Sequence, residues 1–131
     1  MTVRFLELTD ILEIHRSRIE LYGGSTGLRD FGMLQSAIAQ PQAGFGERYL
    51  HVDVYEMAAV YWYHIAKNHA FIDGNKRTAL AACLVFLDFN NINIDVDPYK
   101  LEEFTIALAE GKVDKAEAAA FLRQSAQIVD G

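Results

Sequence analysis

The sequence predicts an all-α fold, a compact bundle of about six helices around one buried central helix, with a short hairpin-like flap. Three observations predict it. Apolar residues recur at helical spacing along most of the chain. Acidic or proline-bearing caps punctuate those runs. One run, 76–89, is apolar on nearly every side, the pattern of a helix enclosed by others. With 131 residues the chain has the size of a domain with one core, so a single domain is expected over 1–131.

The elements follow in order. Asp10 with Glu13 reads as a capping box, and Ile11, Leu12, His15, Ile19 and Tyr22 recur at helical spacing until Gly23-Gly24 stops the run, giving a first helix over about 10–22. After the turn-rich segment 23–27, Asp30 can cap a shorter helix carrying Leu34, Ala37 and Ile38 and broken before Pro41. Pro41, Gln42, Ala43, Gly44, Phe45 and Gly46 have no helical character and offer the best place for a short hairpin. A third helix, about 54–67, carries Met57, Ala58, Tyr61, Trp62 and Ile65 on a broad apolar stripe, and the aromatic run Tyr61-Trp62-Tyr63 reads as packing rather than base stacking. The enclosed helix over 76–89 follows a loop, 68–75. Asn90-Asn91 ends it, Asp97-Pro98 opens a fifth helix, and Asp114 caps an alanine-rich sixth reaching about Ile128.

Hydrophobic residues make up 51% and charged residues 23% of the chain, which suits an ordinary globular protein and excludes disorder. The net charge of -6 argues against a general nucleic-acid binder, whose affinity comes from clustered Lys and Arg. Cys83 has no partner cysteine, so no disulfide can form within the chain and a reducing cytoplasm is the expected setting. The first residues lack the apolar core of a signal peptide, and no apolar stretch reaches membrane-spanning length, so neither export nor membrane insertion is expected.

Chemistry concentrates in His69-Ala70-Phe71-Ile72-Asp73-Gly74-Asn75-Lys76-Arg77. A helix N-terminus leaves backbone N–H groups unpaired and carries partial positive charge, so Gly74, Asn75 and their neighbours can wrap a phosphate with main-chain donors. Lys76 and Arg77 oppose the helix dipole at that end, a conflict that a bound anion would resolve. Asp73 is the hard oxygen ligand that Mg2+ takes when nucleotide phosphates and water complete its shell. Arg77 can hold a phosphate bidentately. His69, with an ordinary pKa of about 6.5, can accept a proton from an attacking hydroxyl. Phe71 is expected in the core, pinning the loop. Each of these residues alone has a blander reading as a loop histidine, an Asp-Gly turn or a solvated cation pair; their register makes the functional one. His15, His51 and His64 are read as histidines bonded to backbone.

These nine residues resemble the signature of the Fic/Doc superfamily, His-x-Phe-x-Asp/Glu-Gly/Ala-Asn-Gly/Lys-Arg. Tyr22-Gly23-Gly24, Gly27-Leu28-Arg29-Asp30, Ala39-Gln40-Pro41-Gln42 and the segment 68–80 are similar to its death-on-curing branch. The resemblance implies ATP and Mg2+ as cofactors, His69 as base, Asp73 as metal ligand, Gly74 and Asn75 as anion cradle, and Lys76 and Arg77 as phosphate contacts. It implies that 41–46 is a flap clamping the target's backbone by strand addition. Lys76 stands where the AMP-transferring branch usually has glycine, and the death-on-curing branch shares it. The implied activity is therefore that of a toxin moving the γ-phosphate of ATP to a protein hydroxyl, with AMP transfer as the alternative.

In that branch the target is translation elongation factor Tu, and the C-terminal segment of a Phd-like antitoxin inhibits in trans. An internal inhibitory helix with Ser/Thr-x-x-x-Glu-Gly/Asn is not found: Thr9 to Glu13 is followed by Ile14, and Ile106 stands four residues before Glu110-Gly111. Ala81, one turn into the enclosed helix, lacks any polar group a relative carries toward nucleotide. Two other classes remain: a metal-dependent hydrolase using His64, His69 and Asp73, and a binding module that sequesters a nucleotide or partner without chemistry.

Overall fold

The computed structural model describes residues 2–45 and 48–129. Six helices are present: α1 (Leu8–Tyr22), α2 (Phe31–Ala39), α3 (Val54–Asn68), α4 (Asn75–Phe89), α5 (Pro98–Ala109) and α6 (Lys115–Ser125). Two antiparallel strand pairs accompany them. β1 (Gly44–Phe45) pairs with β2 (Arg48–Tyr49), and β3 (Ile92–Ile94) pairs with β4 (Ala126–Ile128).

Four of the helix starts are where their acidic residues put them. The Asp30, Asp53, Asp97 and Asp114 carboxylates accept from the N–H groups of Met33, Glu56, Tyr99 and Glu117 at 2.8–3.0 Å, relieving amides that a first helical turn leaves orphaned. The first helix differs: it begins two residues earlier than the sequence predicts, because Glu7 is its N-cap and Asp10 closes the capping box by accepting from the Glu7 N–H at 2.7 Å. The entry is fixed from outside, since Leu6 is buried and its N–H donates to the Tyr61 hydroxyl at 3.0 Å.

The sixth helix is corrected at its other end. It stops at Ser125, and Ala126–Ile128 continues as a strand against Ile92–Ile94. Ile92-Asn93-Ile94 alternates with a strand's period of two, over too few residues to predict that partner. The hairpin segment is also corrected: Gln40–Gln42 forms a single 3-10 turn with Pro41 buried, so only Gly44–Phe45 of the expected flap is strand, and Gly46 lies outside the described residues. Gly44 is required there, because a Cβ would sit 2.2 Å from the Arg48 carbonyl oxygen.

The core lies between α3 and its neighbours. α3 buries Met57 to Trp62 without a break, together with Ile65 and Ala66. Trp62 stacks on Phe104, which stacks on Phe121, and the indole N–H donates to the Thr105 hydroxyl at 2.9 Å. The apolar girdle of α4 is divided. Ala79, Ala82, Cys83, Phe86 and Leu87 face this core, whereas Leu80, Ala81, Leu84 and Val85 form the floor of a surface groove. Among the described residues no helix is long and apolar enough to cross a membrane.

Candidate active site

The loop between α3 and α4 is built from backbone special to it. His69 ends α3 in the left-handed region (φ 49°, ψ 44°), and Gly74 precedes α4 in the same region (φ 76°). Between these two turns Ala70 and Phe71 are buried, while Ile72 and Asp73 are exposed. A glycine suits position 74, since a Cβ would lie 3.0 Å from Ile19 and would strain a positive φ.

The segment after α1 holds this loop from the side. The Ala70 carbonyl accepts from the N–H groups of Arg29 and Asp30 at 2.7 and 3.0 Å, and the Ile72 N–H donates to the Gly27 carbonyl at 3.1 Å. The Asn75 side chain closes the loop from within: its Oδ1 accepts from the Phe71 N–H at 3.0 Å and its Nδ2 donates to the Phe71 carbonyl at 2.9 Å. Asn75 therefore has only its main chain to offer a ligand. His15 supports the loop from beneath: it is bonded to backbone, as the sequence reading has it, but no sequence signal marks that backbone as belonging to this loop. Its ring is buried, stacks on Phe71 at 3.8 Å with 8° between planes, and its Nε2 lies 2.8 Å from the Asp73 carbonyl oxygen.

Asp73 has its carboxylate oxygens near two amides, Gly74 N–H at 3.0 Å and Ser25 N–H at 3.3 Å. The amides of Asn75, Lys76 and Arg77 precede the first helical hydrogen bond, from Thr78 N–H to the Gly74 carbonyl at 3.0 Å. Lys76 and Arg77 are exposed, and among the described residues neither pairs with a carboxylate. The Arg77 guanidinium lies 5.2 Å from the Tyr22 ring centre, and Nη1 donates to the Gly23 carbonyl at 3.3 Å. Arg18 sits 5.7 Å from the same ring and carries no carboxylate partner among the described residues.

His69, Asp73, Gly74, Asn75, Lys76 and Arg77 all line one open groove of about 1160 Å³. Glu13, Ile14, Ser17 and Arg18 of α1 form one wall, Pro98, Glu102 and Ile106 of α5 the other. The floor offers Ala81 where a polar side chain could otherwise meet a ligand. None of the described residues of 41–46 lines this groove. His64 lies outside it as well, and among the described residues no three His, Cys, Asp or Glu side chains converge to hold a metal ion. A hydrolase centre of His64, His69 and Asp73 is therefore not formed.

Left-handed turns at His69 and Gly74 thus bracket a loop that opens on one groove at the start of α4. The sequence model of the Fic/DOC family matches residues 5–87, and the chain belongs to that family. It is 31% identical over 122 residues to the protein kinase doc of Escherichia phage P1, covering 93% of this chain and 95% of that protein. It is 40% identical over 76 residues to the toxin Doc of Mycolicibacterium smegmatis, covering 58% of each.

Proposed function

We propose that this protein is a toxin that moves the γ-phosphate of ATP onto a hydroxyl side chain of a protein, with translation elongation factor Tu as target. The observation that carries the reading is the convergence of His69, Asp73, Lys76 and Arg77 on one groove at the start of α4. The names of the two relatives, a protein kinase and a toxin, support it. A Phd-like antitoxin restrains the protein in trans, its C-terminal segment excluding substrate, and the setting is the cytoplasm.

In this reading the phosphates of ATP lie across the first turn of α4, where the N–H groups of Asn75, Lys76 and Arg77 donate to their oxygens. The Arg77 guanidinium and Lys76 ammonium, which have no carboxylate partner among the described residues, offset the negative charge on the transferring group. The exposed Asp73 carboxylate fits a single-carboxylate magnesium ion, which when bound would neutralise phosphate oxygens. His69, exposed at the groove, accepts the proton of the target hydroxyl. The hydroxyl oxygen bonds to the γ-phosphorus as the bond to the β-bridging oxygen breaks, and ADP leaves with that electron pair. Segment 41–46 clamps the target's backbone by strand addition.

The test uses cell extract free of antitoxin and ATP labelled at either its α- or its γ-phosphate, with native protein and His69→Ala. His69-dependent label from the γ position alone supports the kinase. Label from the α position would instead favour AMP transfer to the same hydroxyl. No His69-dependent label of either kind would leave an inert binding module as the better account.

A further inference from the structure

We propose that His15 is a positioning residue that sets where α4 begins and so creates the phosphate site; this rests on the reading of Asn75, Lys76 and Arg77 as that site. An α-helix wound back by one residue from Thr78 would bond the Arg77 N–H to the Asp73 carbonyl, its acceptor four residues earlier. That carbonyl is already taken. The His15 Nε2 lies 2.8 Å from it, so Nε2 carries the proton and donates, and the imidazole is held in place by its stack on the buried Phe71 ring.

Two consequences meet at the groove. The helix cannot absorb Asp73, so Gly74 keeps its left-handed turn and the Arg77 amide is left with no acceptor among the described residues. The Asp73 backbone is fixed at the same moment, which keeps its carboxylate on the groove lining, near the amides that would meet phosphates. His15 comes from α1, far away in sequence, and does not itself line the groove. It acts through Asp73 and Phe71, as outer partners of metal ligands do through the ligands they orient.

His15→Phe keeps a flat ring for the stack and removes the donor; His15→Gln restores an amide N–H near the Nε2 position. Titration of the purified proteins with ATP and Mg2+ reads nucleotide affinity without needing the target, and amide hydrogen exchange reads the helix start directly. The expected result is a roughly 10- to 100-fold weaker affinity in His15→Phe, slowed exchange at the Arg77 amide as it closes onto the freed Asp73 carbonyl, and recovery of most of both in His15→Gln. Native affinity and unchanged Arg77 exchange in a folded His15→Phe protein would overturn the proposal, as would a folded His15→Gln no better than His15→Phe. Should His15→Phe not fold, His15→Gln decides alone: near-native affinity and exchange support the proposal, and loss of both overturns it. If the native protein binds no nucleotide, the phosphate reading fails, while the exchange result still judges the role of His15 in starting α4.

Discussion

Asn75 grips Phe71 by both of its backbone groups, accepting from the N–H at 3.0 Å and donating to the carbonyl at 2.9 Å. The two hydrogen bonds tie the first residue of α4 to the buried anchor of the loop, so this polar side chain of the motif is committed to structure rather than left to bind. Asn75→Ala should cost about 1–3 kcal/mol of stability, the sum of two modest net hydrogen bonds, and should lower transfer by more than its stability loss. Asn75→Asp keeps the acceptor, loses the donor and places a negative charge at the amides. It should bind ATP more weakly than Asn75→Ala, and urea denaturation beside nucleotide titration would show whether it does.

Gly24 lies against Asp73: a Cβ there would sit 2.7 Å from Oδ2, at a φ of +117°. Gly23 has a positive φ of 82° but open space around a Cβ. Both alanine variants should lose roughly 1 kcal/mol to backbone strain. Only Gly24→Ala should also displace the Asp73 carboxylate and raise the Mg2+ concentration needed for half-maximal transfer. Equal magnesium dependence in the two variants would show that the carboxylate tolerates the shift.

Lys76 is exposed and pairs with no carboxylate among the described residues. If its ammonium dictates how the polyphosphate lies, Lys76→Gly opens space for the outer phosphates. The expected outcome is reduced γ-label and emergent α-label on protein in the two-label assay. Unchanged γ-label would mean that orientation of ATP is set elsewhere in the groove.

Periodicity and capping chemistry made the helices legible, because Asp30, Asp97 and Asp114 act on amides only three or fewer residues away. The nine-residue motif was legible for the same reason: its chemistry is local in sequence. What escaped was non-local. His15 meets Asp73 across 58 residues, and its spacing within α1 matches that of ordinary core positions. The β3–β4 pair joins two short segments whose alternation spans too few residues to outweigh the helical run before Ser125. Leu6 advanced the start of α1 through Tyr61, a contact 55 residues away. The double use of α4, core on one side and groove floor on the other, cannot be read from an apolar girdle, since both surfaces ask for aliphatic side chains.

Thr105 connects α5 to α3 by accepting from the Trp62 indole at 2.9 Å while donating to the Leu101 carbonyl at 2.7 Å. Both side chains are buried, so Thr105→Val, similar in shape, leaves an indole N–H without an acceptor. A loss of about 1–3 kcal/mol is expected for that orphaned donor, with Thr105→Ser recovering much of it. Equal stability of the valine and serine variants in urea would refute the account.

His64 sets a pH limit on stability away from the groove. Burial, the neighbouring Lys115 and the nearby His51 push its imidazole down from 6.5 to about 4, so the folded protein keeps it neutral where the unfolded chain would already charge it. On acidification the unfolded state binds this proton first, and stability falls wherever the unfolded state binds more protons. The contribution is intact above about 6.5 and declines as pH drops from there through about 4. His64→Gln removes the titration while keeping a polar side chain. Its Tm should fall less than that of the native protein between pH 7.5 and 5, and parallel Tm curves for the two proteins would show that other groups control the acid limb.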